Sequence, residues 1–325
     1  MEKYSQFRDR GSGISPFLPS TTPTSIAARI VGFWIFVIRL PLLVVFCVGY
    51  FAVLDRLPLP QFVRKLLLWT MLAIPGIWWV DLQLDGVKRG SLSQQPPGRF
   101  PHARSVIAAQ FTSPIDALYL AAVFDPIFAV AYPGTRKVQR VSLFGAMALA
   151  LAKPGTLPPH AGLTTLRALV EQNPTRVIAV FPEMTTTNGK GILPISPSLL
   201  SCPAPAEIFP VSMRYTPPDI TTPVPGQWLS FLWSLLSKPT HYIRVRIAEG
   251  VTNTTAAPNG LTHPNMGVNT RGESSHDDDA TPEEQQLLDH VGDTLARLAR
   301  NKRVGLTVSD KAAFVEAWSK GKGKK

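Results

Sequence analysis

The chain has 325 residues, 45% of them apolar, and carries 33 lysines and arginines against 22 aspartates and glutamates, a formal charge of +11. That apolar content can bury a substantial core, which excludes a disordered chain; the surplus charge, met together with long apolar segments, points to anionic phospholipid rather than nucleic acid. Two cysteines, Cys47 in an apolar run and Cys202 in a proline-rich loop, exclude a disulfide framework and a cysteine metal site.

Residues 1–25, rich in Ser, Thr, Pro and Gly, read as a flexible polar leader. They are not a cleavable signal peptide, because the apolar stretch starts late and runs too long. From Ile30 to Leu54 come 25 residues with one charge, Arg39, and one proline, Pro41. Roughly 20 helical residues cross a bilayer core, and ordinary core helices are shorter than this run. A second apolar block, Leu66 to Val80, is broken by Pro75-Gly76 and is short for an independent span. Between them Pro58 and Pro60 make a bend flanked by Arg56, Arg64 and Lys65. Residues 26–80 are therefore expected to form a membrane-embedded helical hairpin, or one span plus an interfacial helix, with Trp69, Trp78 and Trp79 at headgroup level.

Beyond Val80 the pattern changes to an α/β domain expected over 81–250. Asp81 to Gly90 alternates and ends in glycine, as a strand does. Ser105 to Ala109, Ile127 to Ala131, Arg176 to Phe181 and Ile208 to Met213 are short apolar runs bounded by Pro, Gly or polar residues, the pattern of strands buried on both faces. Helical spacing falls between them, over Asp116 to Phe124, Val141 to Ala152 and Leu163 to Val170. This alternation predicts a mixed, mainly parallel sheet flanked by helices. Gln227 to Ser237 reads as a helix for the core or the interface, and His241 to Gly250 as a strand with one solvated face.

Residues 251–280 read as a disordered insert, with a weak glycosylation sequon at Asn253. Over 281–325, Thr281-Pro282-Glu283-Glu284 carries the full start signal of a helix, and a shorter helix with Phe314, Val315 and Trp318 precedes a lysine-rich tail read as a solvated end.

Two stretches carry chemistry. In QFTSPIDALYLAAVF, from Gln110, the turn Thr112-Ser113-Pro114 places Asp116 in a first helical turn, where a carboxylate caps the helix whatever else it does. In FPEMTTTNGKGIL, from Phe181, Glu183 emerges at the carboxyl edge of a buried strand; threonine hydroxyls, turn amides and Lys190 then supply phosphate-binding parts.

Taken in order, TSPID, FPE with TTTNGKGIL, and FPV within IFPVSMRY, all downstream of a membrane segment, resemble the PlsC-type glycerolipid acyltransferases. That family includes the lysophosphatidic acid acyltransferases. The resemblance covers roughly residues 81 to 249, and TTTNGKGIL with LTVSDKAAFVEAW is most similar to a fungal branch of the endoplasmic reticulum and lipid droplets.

It implies a glycerol-3-phosphate acyltransferase-like fold with the α/β domain in the cytosol. It further implies transfer of an acyl group from acyl-CoA, as co-substrate and without other cofactors, to a lysophospholipid such as lysophosphatidic acid on an anionic phospholipid membrane. In such enzymes a histidine takes the acceptor hydroxyl's proton, an aspartate orients the imidazole, and the third block meets the phosphate. On the matching positions Asp116 is the catalytic aspartate, and Thr112, Ser113, Glu183, Thr185, Thr186 and Lys190 bind substrate.

The chain departs from the pattern at Phe111, which stands where the histidine is expected, and at Met184, which stands where a glycine is expected. Loss of a positioned base typically costs about 10²- to 10⁴-fold. His160 is the better placed of two substitutes, since His102 falls at the opposite end of its strand. For the second block, GTRKVQR supplies Arg140 as a phosphate ligand, whereas an alternative placement at Phe144-Gly145 supplies none. Two functions follow: a working acyltransferase with the base role rerouted or left to water, or a catalytically inactive relative that binds lipids or organises membranes. A soluble basic binding module conflicts with the 25-residue apolar run. Neither a metal, nor nucleic acid, nor a protein partner is read from the sequence.

Overall fold

The computed structural model describes residues 2–87, 91–155, 162–254 and 280–322; His160 and most of the insert expected at 251–280 lie outside the described residues. Helix α1 (Ile26–Ala52) opens with Ser25 capping the Ala28 amide, and contains Pro41. It is long and apolar enough to cross a membrane, yet one flank is docked on the rest of the chain. Gly32 rests on Ser237, where a Cβ would come within 2.9 Å of the Ser237 carbonyl oxygen. Arg39 donates to the carbonyls of Pro75 (3.2 Å), Lys238 (2.6 Å) and Pro239 (3.0 Å), which satisfies the one charge in the run, and Leu43 and Tyr50 are buried. The opposite flank, with Ile30, Trp34, Ile38 and Val45, is exposed.

The chain continues through α2 (Gln61–Ala73), β1 (Trp79–Leu84), β2 (Val106–Ala109), α3 (Pro114–Phe124), β3 (Ile127–Ala131), β4 (Val138–Val141), α4 (Leu143–Leu149), β5 (Leu163–Thr164), α5 (Leu166–Gln172) and β6 (Ile178–Phe181). It then forms β7 (Gly191–Ile192), β8 (Glu207–Thr216), α6 (Trp228–Leu236), β9 (Tyr242–Ile247), β10 (Val251–Thr252), α7 (Pro282–Ala299), β11 (Lys302–Arg303) and α8 (Val308–Lys322).

The large sheet has the order β1-β9-β8-β2-β6-β3-β4-β5, with β10 paired to β8. Its centre, β8-β2-β6-β3, is parallel, as expected of apolar runs covered on both faces. Strands β4, β5 and β9 join antiparallel, and β1 lies parallel to β9. Side chains alternate between two layers. Val106, Ala108, Ile178 and Val180 pack toward α5 and α7, whereas Ile107, Ala109, Ala179 and Phe181 pack toward α2 and α3.

Two expectations are corrected. The leader is not flexible where described: Phe7 and Phe17 are buried against Phe314 of α8, with ring centroids 5.3 and 5.9 Å away. Its average composition is polar, but a few aromatic anchors bury enough area to order it. Phe17→Ala is expected to cost about 3 kcal/mol in urea denaturation, because the ring has no exposed surface; an unchanged midpoint would mean that the leader is not docked. The insert also begins later than expected, since β10 pairs with β8 and buried Asn253 donates from Nδ2 to the carbonyls of Leu200 and Cys202, both at 3.0 Å. That amide is engaged in the fold, not offered as a sequon.

Candidate functional site

Parallel pairing of β2 with β6 sets Val106 beside Ile178 and Ala108 beside Val180. The segments that follow these strands therefore leave the same sheet edge, and the two motif stretches meet. A backbone bond locks them together, the Thr187 amide donating to the Phe111 carbonyl (3.1 Å), and the segment after β8 adds another, from the Thr222 amide to the Thr112 carbonyl (2.8 Å).

Ser113 and Asp116 form a capping box at the start of α3, with Pro114 in its first turn. Oδ2 of Asp116 accepts from the amides of Thr112 (2.6 Å) and Ser113 (2.8 Å) and from the Thr112 hydroxyl (3.1 Å), while Oδ1 accepts from the Tyr215 hydroxyl. The aspartate thus caps the helix and holds a tyrosine from β8. Burial pushes its pKa up to about 6, against the opposing pull of the Tyr215 hydroxyl and the turn amides. Burial and the neighbouring Asp116 charge push the Tyr215 phenol well upward.

Glu183 is also fully buried. Oε1 accepts from the Phe111 amide (3.3 Å) and Oε2 from the Leu193 amide (3.0 Å), so this carboxyl staples the β2 edge to the far limb of its own loop. Burial raises its pKa to about 8, opposed by those amides and assisted by Asp116. Met184 follows at φ 60°, a left-handed conformation that glycine adopts freely and a side chain adopts at a cost of about 1 kcal/mol. The backbone here keeps the shape that the expected glycine would have permitted.

Phe111 lies stacked on Phe181, with centroids 4.3 Å apart and planes 22° from parallel. It presents no proton acceptor at this edge. Thr185 and Thr186 are buried, and the Thr186 hydroxyl donates to the Thr222 carbonyl (2.7 Å). A small pocket of about 30 Å³ touches Phe111, Phe181 and Thr185, and a second hollow of about 200 Å³ lies beside Glu183, Met184 and the start of α8.

Two expected ligands are not brought in. Lys190 is exposed, and Arg140 lies on β4 beside Ala129, facing a hollow at the other end of the sheet. An antiparallel return from β3 carries it away from the carboxyl edge. The buried cation of the site is instead Lys311 of α8, whose Nζ donates to the Thr186 carbonyl (2.6 Å) and hydroxyl (2.9 Å). Burial lowers its pKa to about 7, resisted by the Glu183 charge. Sequence reasoning passed over Lys311 and Tyr215, yet both had signals. Lys311 heads the 311, 314, 315, 318 stripe of an apolar helix face, and Tyr215 shares the period-two face of Phe209, Val211 and Met213. From the other side the leader clasps the loop: Asn188 donates from its amide to the Pro16 carbonyl (2.8 Å) and from Nδ2 to those of Ser15 and Leu18 (2.8 Å each).

No family model matches the chain. It is 28% identical over 335 residues, 98% of its own length and 99% of the relative's, to a Schizosaccharomyces pombe protein named "Putative lysophosphatidic acid:oleoyl-CoA acyltransferase". It is 25% identical over 202 residues, 60% of this chain and 61% of the other, to "Lysophosphatidic acid:oleoyl-CoA acyltransferase 1" of Saccharomyces cerevisiae. Among solved structures, the lysophosphatidic acid acyltransferase PlsC of Thermotoga maritima aligns over 85% of this chain and 95% of its own, with TM-score 0.41 and 13% identity, a likeness too loose to carry residue roles.

Proposed function

We infer that this chain, a member of the PlsC-type glycerolipid acyltransferase family, transfers a fatty acyl group from acyl-CoA to the free hydroxyl of lysophosphatidic acid, giving phosphatidic acid. The observation that carries the reading is the end-to-end relationship to the fission yeast protein, over 98% of one chain and 99% of the other. It spans the leader and α8, the two segments that clasp the motif loop, and not the motif stretches alone.

In the transfer an oxygen–carbon bond forms, the thioester C–S bond breaks, and the hydroxyl proton ends on the departing thiol. Atoms and charge balance without a metal or redox cofactor. With Phe111 at the base position water carries that proton from the hydroxyl to the leaving thiolate, and the site works by positioning. Asp116 holds the Thr112-Ser113 turn in shape, and Glu183 joins that turn to the third-block loop. Because α1 is docked along one flank, it meets the membrane as part of the domain's own surface, with α2, α6 and the Trp78-Trp79 turn adding exposed apolar side chains. On the same reading the protein works on the cytosolic face of the endoplasmic reticulum or of lipid droplets, as the fungal resemblance suggests.

The test is full-length protein in phosphatidylcholine vesicles with labelled oleoyl-CoA and lysophosphatidic acid. Labelled phosphatidic acid is expected, falling about 10²-fold in Asp116→Ala, which releases the Thr112-Ser113 turn, and by less in the closer mimic Asp116→Asn. No transfer above those variants would leave the lipid-binding, inactive reading in its place.

A further inference from the structure

Arg140, excluded from the carboxyl edge, belongs to a second polar hollow at the other end of the sheet. Asp125, the left-handed cap residue after α3 (φ 48°), ion-pairs with Arg64 of α2 and, at 2.9 Å, with Arg176. Arg176 also donates to the Asp125 carbonyl at 2.6 and 3.2 Å. Arg140 borders the same hollow, near enough for its charge to act on Arg176; the hollow has a volume of about 180 Å³ and is also lined by Tyr50 and Phe128. One carboxylate here faces three guanidiniums. The side chains of Arg64 and Arg176 are only 28% and 34% exposed, so water screens the surplus incompletely, and among the described residues Arg140 makes no ion pair. Burial, with Arg64 and Arg140 adding to it, pulls the Arg176 pKa down despite Asp125.

Apolar side chains are exposed near the hollow. Phe144, 60% exposed and edge-on to Phe51 of α1 at 5.3 Å, stands next to Leu143. On α2, exposed Phe62 and Leu66 lie on the helix face turned away from Arg64, outside the hollow. A cationic hollow with exposed apolar side chains nearby on α2 and α4 lies close to headgroup depth when those side chains enter the acyl region.

We propose that this hollow binds the phosphate of an anionic membrane phospholipid, at a site separate from the acyl-transfer edge. Guanidinium forks match phosphate oxygens in pairs, and one phosphate restores the missing negative charge. Arg176 and Arg64, held in place by Asp125, form the fixed part of the site, and Arg140 closes on the ligand from β4.

The experiment measures flotation of full-length protein with phosphatidylcholine vesicles, with and without phosphatidic acid. Phosphatidic acid is expected to raise the bound fraction. Arg140→Glu should cut that increment about tenfold and Arg140→Gln by less, while binding to phosphatidylcholine alone stays level. Arg167→Glu makes the same charge change at an exposed position on α5, outside the hollow, and should keep the increment. An increment that survives Arg140→Glu overturns the proposal. So does an equal loss in Arg167→Glu, which would mean diffuse surface charge. Inorganic phosphate and glycerol 3-phosphate form the third arm. If either raises the melting temperature of the wild type but not of Arg140→Glu, and releases protein from phosphatidic acid vesicles, the ligand is a soluble phosphate and the lipid assignment fails.

Discussion

Phe111→His is expected to raise acyl transfer by about 10²-fold, read as initial rate of labelled phosphatidic acid formation, with the gain lost again in Phe111→His/Asp116→Asn. The position is prepared for an imidazole. A histidine stacks on Phe181 much as the native ring does at 4.3 Å, and its backbone amide continues to donate to Glu183. A well-placed base is worth about 10²- to 10⁴-fold, and the lower end is appropriate because Asp116 is already occupied. Its Oδ2 takes three donors from the turn and its Oδ1 takes Tyr215, so the new imidazole must share a crowded carboxylate. Tyr215→Phe in the same background should then raise the rate further. An unchanged or lower rate in Phe111→His would mean that base catalysis does not limit this site.

Stability is expected to fall as pH rises from 5 to about 7 and to recover between about 8 and 9, above which the buried Cys202 thiol, pushed up to about 12 from 9.0, opposes the gain. Glu183 has its folded pKa raised to about 8 from an ordinary 4.5, so the folded state keeps a proton that the unfolded chain has released. Its contribution is complete below 4.5 and lost as pH rises through about 8. Asp116 acts in the same sense between 3.8 and about 6. Lys311 has the opposite sign. Its amine is lowered to about 7 from 10.5, and its contribution is complete above 10.5 and lost as pH falls through about 7.

The sum has a minimum near neutrality, with limbs of about 1.4 kcal/mol per pH unit for each proton involved. Buried His241, lowered from 6.5, opposes the acid limb, but it is one group against two carboxyls. Urea denaturation from pH 5 to 9 checks the shape. Glu183→Gln should flatten the acid limb and Lys311→Met the alkaline one, whereas a single maximum near neutrality would contradict the buried Glu183–Lys311 arrangement.

The central fold was legible because its signals are local. Four apolar runs became the four parallel strands, and Thr281-Pro282-Glu283-Glu284 became the capping box of α7. The meeting of TSPID with FPE was legible too, since both follow adjacent parallel strands. What failed was long-range. GTRKVQR has the spacing of a phosphate block, but spacing does not reveal that β4 turns back along β3 and points Arg140 elsewhere. Lys190 sits in the right loop and faces outward, while its place as the buried cation is taken by Lys311, which arrives from α8. The docked leader escaped notice because two phenylalanines scarcely alter the average of a polar stretch.

The loop at Glu183 is clasped by Ser15 to Leu18 from one side and by Lys311 from the other, partners 173 and 125 residues away along the chain for the Ser15–Asn188 and Lys311–Thr186 bonds. On the ribosome, therefore, the leader emerges before there is a loop to bind, and the loop emerges before α8 exists. The sheet can form while synthesis continues, but the polar edge acquires its last buried partner only once α8 has emerged. A nascent chain already resting on a membrane through α1 would hold this edge unfinished until then, so the site is completed by α8 and not by folding of the central sheet alone.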